Sequence, residues 1–145
     1  MLFQNNEASL KLDVVNYEFP ADAGASGSDD RNWLVLRCTW VDEEGEVHKD
    51  SNSCMLTYEL QEMAAGLKVM HAGIRDYYVS EFQEPYFTVG AAKEEDHFLM
   101  DVSFYLPNTM DGDDTAELRA VMTPAELSEL IDELDQLCKK YPDRT

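Results

Sequence analysis

The chain has 145 residues, with eleven Lys and Arg against thirty Asp and Glu, a formal net charge of −19 and a pI near 4.2. Its 44% hydrophobic and 10% aromatic content excludes a solvated acidic tail, because disorder needs low hydrophobicity alongside high charge. No basic surplus exists to replace counterions along a phosphate backbone, so direct nucleic-acid binding is excluded as the default.

Residues Ser9 to Tyr17 alternate, Leu10, Leu12 and Val14 against Lys11 and Asp13, which predicts a half-buried strand. Phe19-Pro20 ends it, and residues 21–30 form a loop of small and acidic residues. Trp33 to Val41 is a second strand, with Leu34, Leu36, Cys38 and Trp40 on one face and Trp33, Val35 and Val41 on the other. Apolar residues on both faces predict a central position. Asp42-Glu43-Glu44-Gly45 turns into a short strand around Glu46 to Lys49. A helix follows, capped by Thr57 or Ser53, with Leu56, Leu60, Met63, Ala64, Leu67 and Met70 at helical spacing and Gly73 as its stop.

Tyr77 to Phe82 is ambiguous between strand and helix, Tyr86 to Val89 predicts a strand, and Gly90 to Asp96 a turn. His97 to Leu106 alternates clearly, and a turn-rich acidic segment, Pro107 to Asp114, leads to a last strand, Thr115 to Met122. The final helix has Thr123 as N-cap, Pro124 at its first position and Glu126 completing a capping box. Leu127, Leu130, Ile131, Leu134, Leu137, Cys138 and Tyr141 form its apolar stripe, and Lys139 and Lys140 suit its negative end. The order predicts an α+β fold, an antiparallel sheet of five to six strands with two helices packed on one face. With no internal repeat or linker, residues 1–145 are expected to form a single acidic domain.

The search for chemistry returns little. Cys38, Cys54 and Cys138 are odd in number and lack a Cys-x-x-Cys pair, so they read as reduced thiols, partly buried, in a cytosolic protein. The segment Met1 to Glu7 has neither basic residues nor a signal-length apolar run, and no stretch could span a bilayer, so the cytoplasm is the expected location. Gly24 to Ser28 lacks the closing glycine of a nucleophile elbow and the lysine of a P-loop. His48, His71 and His97 are too isolated for a local metal motif, and a Cys-His pair such as Cys54 with His48 or His97 is expected by chance. No catalytic residue, cofactor or metal is expected.

Carboxylates are the abundant functional group. Asp111, Asp113, Asp114 and Glu117 cluster around a turn that lacks the context of a calcium loop. Glu126, Glu129, Asp132, Glu133 and Asp135 project from the last helix away from its apolar stripe. A wet helix face explains these acids one by one, while the whole-chain charge favours a docking ridge for a cationic partner. Trp33, Trp40, Phe98 and Phe104 read as core. Tyr77, Tyr78, Phe82, Tyr86 and Phe87 are dense enough to rim a ligand, although packing under a helix accounts for them better.

Leu10-Lys11-Leu12, Tyr17-Glu18-Phe19-Pro20, a loop, and then Asn32-Trp33-Leu34 resemble the opening of the WapI-type immunity protein family. Leu56-Thr57-Tyr58-Glu59-Leu60, Phe82-Gln83-Glu84-Pro85 and a terminal amphipathic helix follow in the matching order. The loop before Asn32 is longer and richer in glycine than the family pattern. Ser51-Asn52-Ser53-Cys54 also replaces an Asp-Pro-rich approach to the helix. The resemblance implies a bacterial cytoplasmic antidote that binds and silences a toxin domain, a nuclease acting on transfer RNA in the founding pair. Its surface acids, Asp111, Asp113, Asp114, Glu117, Glu126, Glu129, Asp132 and Glu133, would then face a cationic toxin, without nucleic acid or membrane as direct partner. The alternative is a small-ligand or regulatory binding domain whose tyrosine-rich middle lines a pocket.

Overall fold

The computed structural model describes residues 1–24, 29–107 and 114–144. They form two antiparallel four-stranded sheets, each followed by one long helix. The first sheet holds β1 (Leu2–Gln4), β2 (Ser9–Tyr17), β3 (Trp33–Val41) and β4 (Val47–Leu56) in chain order, and α1 (Thr57–His71) leaves directly from β4. The second holds β5 (Tyr77–Val79), β6 (Phe87–Glu94), β7 (His97–Leu106) and β8 (Asp114–Met122), again in chain order, followed by α2 (Pro124–Lys140).

The α+β class matches expectation; the single sheet of five to six strands does not. β1 and β5 are three residues each, too short to display a period. β4 was expected to stop near Lys49, with Ser53 or Thr57 capping a helix. It runs on to Leu56, because Ser51 to Leu56 pair with Arg37 to Trp33 across the β3 ladder. The helix therefore starts with Leu56 at the N-cap and no side-chain cap, and Thr57 is buried inside its first turn. Gly90, Ala91 and Ala92, weak strand formers, read as a turn. They pair with Asp101, Met100 and Leu99, and the reversal falls on Glu95 and Asp96, where Glu95 takes a φ of +52°.

The alternating patterns bury as expected. Phe98, Met100, Val102, Phe104 and Leu106 of β7 face inward, and so do Ala116, Leu118, Ala120 and Met122 of β8. Leu10 and Leu12 of β2 join Leu34, Leu36 and Cys38 of β3. Leu127, Leu130, Ile131 and Leu134 of α2 are buried with Tyr141, while Leu137 and Cys138 are half-buried. One hydrophobic cluster unites both sheets and both helices. Each fully buried Leu in it contributes about 2 kcal/mol relative to exposure. Trp33 and Trp40, expected in the core, are only half-buried. α1 and α2 pack against each other, and Lys68 Nζ donates to Asp135 Oδ1 at 2.7 Å. No helix among the described residues is long and apolar enough to cross a membrane.

Candidate functional site

The acids of α2 divide by what holds them. Thr123 Oγ1 accepts the Glu126 N–H at 3.2 Å, and Glu126 Oε1 accepts the Thr123 N–H at 3.0 Å, which closes the expected capping box. Glu133 Oε1 lies 2.7 Å from the Met1 ammonium, which also donates to the Leu12 carbonyl at 2.8 Å. Glu126, Glu129 and Glu133 line one groove of about 240 Å³ with Leu2, Gln4, Met122 and Leu130. Glu129 and Asp132 are exposed and have no ion-pair partner among the described residues. Glu126, Glu133 and Asp135, by contrast, each hold a capping bond or an ion pair.

The second predicted group lies elsewhere. Asp111 and Asp113 fall outside the described residues. Asp114 opens β8 and accepts the Thr115 N–H at 3.0 Å. Glu117 sits on the outer face of the second sheet, beside a hollow of about 420 Å³ lined with Thr88, Asp101, Ser103 and Arg119. There Arg119 Nε donates to Asp101 Oδ1 at 2.8 Å. The two predicted groups thus lie on different elements, the helix acids on α2 and the described members of the turn, Asp114 and Glu117, on β8.

A third acidic place was legible only as a turn. At the β3–β4 hairpin, Asp42, Glu43 and Glu44 line a hollow of about 300 Å³ with Trp40. Asp42 Oδ1 accepts the N–H groups of Glu44 and Glu46, each at 2.9 Å, and Asp42 Oδ2 meets His48 Nε2 at 2.8 Å. The hydrogen bond to Asp42 raises the His48 imidazole above its usual range, and the same bond lowers the Asp42 carboxyl. One ligand atom from each of Asp42, Glu46 and His48 lies within 4.8 Å of the others, a spacing that could hold a cation. The grouping closes over the turn already read at Asp42 to Gly45, where the Asp42 N–H donates to the Glu46 carbonyl at 3.0 Å.

The cysteines are poorly activated as nucleophiles. Burial pushes the Cys38 and Cys54 thiols up to about 12, so neither is a thiolate near neutral pH. His48 pairs with Asp42, and His97 lies beside Asp96 and Glu94. No disulfide joins the three cysteines.

The tyrosine-rich segment is partly core and partly rim. Phe82 and Phe87 are buried with ring centroids 5.9 Å apart, and Tyr86 meets Tyr105 at 5.3 Å. Tyr77 and Tyr78 line a groove of about 490 Å³ between β5 and α1, with Ala65, Gly66, Val69, Arg75, Val79 and Glu81. The Tyr78 ring lies against Gly66, where an added methyl would overlap it.

No curated protein matches the chain. Among solved structures it is similar to WHY1 from Arabidopsis thaliana, with a TM-score of 0.51 and 16% identity over 97% of this chain and 88% of that one. WHY3 from the same plant gives a TM-score of 0.51 and 14% identity over 97% and 86%. At such identity the likeness is one of fold alone. Sequence carries more: the model of the WapI-like immunity protein family matches residues 1–142, and the chain belongs to that family.

Proposed function

We propose that the protein is a non-enzymatic bacterial immunity protein that binds and neutralises a cognate toxin domain in the cytoplasm. The family match over residues 1–142 carries this reading. Burial and the neighbouring acids Asp50, Glu59 and Glu84 keep the Cys38 and Cys54 thiols protonated, which supports binding over catalysis. The toxin is a cationic domain, in our reading a nuclease. A surface that grips RNA is basic, and a chain of charge −19 is steered toward it and can cover its active site. Glu129, Asp132, Asp114 and Glu117 are the proposed contacts; Asp111 and Asp113 belong to the same proposal from sequence. Glu126 and Glu133 support it less directly, since each already holds a backbone or terminal group. Neither nucleic acid nor membrane is a direct partner.

The test is to mix the purified protein with its cognate toxin domain and measure association across ionic strength. We expect rapid association that slows steeply with salt, and Glu129→Lys with Asp132→Lys to slow it and flatten that dependence. An unchanged association rate would remove α2 from the interface.

A second reading, a small-ligand or regulatory binding domain, is favoured by one observation, the groove that Tyr77 and Tyr78 line. A ligand seated there would raise the melting temperature of the wild type and not of Ala65→Trp, which fills the groove from α1. Blocking the groove without affecting toxin binding would separate the two readings.

A further inference from the structure

We infer that the outer edge of β5 is a pairing site for a second copy of this chain, so that two second sheets join across a two-fold axis at Tyr78. β5 is the edge strand of its sheet, bonded on one side to β6. Lys93 N–H donates to the Asp76 carbonyl at 2.8 Å and Ser80 N–H to the Val89 carbonyl at 2.9 Å. By the alternation of an antiparallel ladder, Tyr78 turns its N–H and C=O toward β6, while those of Tyr77 and Val79 point off the sheet. These are the groups a further strand would bond.

Edges of this kind are ordinarily blunted by shortness, a lysine, a proline, a bulge or a covering element. β5 is short, at three residues, but carries no lysine, proline or bulge. Instead Ile74, Tyr77 and Val79 are 78%, 55% and 63% exposed, an apolar patch within six residues of an otherwise strongly anionic protein. Arg75 and Glu81 bracket this strand and line its groove, with the Arg75 guanidinium 5.7 Å from the Tyr77 ring centroid.

That order is self-complementary. In an antiparallel pair centred on Tyr78, Tyr77 bonds opposite Val79 of the second copy, an aromatic against a β-branched residue. Arg75 falls opposite Glu81 of the second copy, and the symmetry makes that ion pair twice. The groove of about 490 Å³ beside β5, floored by Ala65, Gly66 and Val69 of α1, leaves room for the incoming strand. The charges thus select a copy of the same segment, in one direction and one register.

Sedimentation velocity over a concentration series tests this. The wild type is expected to move from 16.5 kDa toward twice that mass. Arg75→Glu or Glu81→Arg alone sets like charges opposite each other at both pairs and should weaken the dimer about tenfold, while the double exchange should restore it. Amide hydrogen exchange on the unmodified chain gives an answer that does not depend on variants folding. Tyr77 and Val79 should gain protection with concentration, and Tyr78 should be protected throughout. A monomer at every concentration overturns the inference. So does a dimer indifferent to both single variants, or a double exchange that fails to recover. Protection of Tyr77 and Val79 that arises only with the toxin domain present overturns it too and assigns the edge to that partner.

Discussion

The two helices begin with the same side chain in opposite surroundings. In α2 the glutamate three residues past the cap, Glu126, is exposed and closes a local box with Thr123. In α1 the glutamate at the equivalent place, Glu59, is 1% exposed, and no capping hydroxyl accompanies it. Glu59 Oε1 accepts the Leu56 N–H at 2.9 Å, and Glu59 Oε2 accepts the Gln83 N–H at 2.7 Å. One carboxylate caps a helix; the other also fastens the start of α1 to the segment before β6. Burial raises the Glu59 carboxyl above its usual range, partly offset by those two backbone donors. In a chain with thirty acids, the lesson is that position, not abundance, decides which carboxylates are structural.

The comparison breaks most sharply at Glu59. Glu59→Ala leaves two backbone N–H groups without their acceptor and should cost roughly 2–5 kcal/mol in chemical denaturation. Glu59→Gln keeps one acceptor and should cost less. The pH dependence has a definite sign. A carboxyl raised on folding adds stability that is fully present below its ordinary pKa and is lost as pH rises through the folded value. Replacing Glu59 with Gln should flatten that part of the stability curve.

Next in size is Gly66→Ala, whose methyl would overlap the Tyr78 ring and should destabilise by about 1–3 kcal/mol. Thr123→Ala removes the surface cap of α2 and should cost about 1 kcal/mol, well below the loss at Glu59. A larger effect at Thr123 than at Glu59 would reverse the comparison.

At the hairpin tip, NMR titration should place the His48 pKa above 6.5, and Asp42→Asn should return it toward that value. The imidazole's contribution is present below 6.5 and lost as pH rises through its folded pKa. Asp42's contribution is present above its ordinary 3.8 and lost as pH falls through its lowered value. The pair therefore acts between the two, and Asp42→Asn removes that window. Smallest of all is Glu129→Lys, which should leave stability within about 0.5 kcal/mol of wild type.

What the sequence disclosed follows from the same physics. β2, β3, β7, β8 and α2 were legible because each alternates or repeats long enough to fix a buried face, and Thr123, Pro124 and Glu126 sign the start of α2. β1 and β5 hold three residues each, and β4 hides its second half under Leu56, which also suits the stripe of α1. Splitting one expected sheet into two depended on those three elements. The acids of the candidate surface were legible as residue types, but not their employment. Nothing local announces that Glu133 meets the Met1 ammonium 132 residues away, or that Asp42 and His48 face each other across a turn. The groove beside β5 was legible on its tyrosine side, Tyr77 and Tyr78, but not on its α1 side, Ala65, Gly66 and Val69.

The central claim is neutralisation by binding, and its most direct measurement is rescue. Cells expressing the cognate toxin domain should grow when the protein is co-expressed, with the toxin intact and co-purifying in a complex with it. Cells that die despite folded protein at the same level, with no complex recovered, would contradict the account.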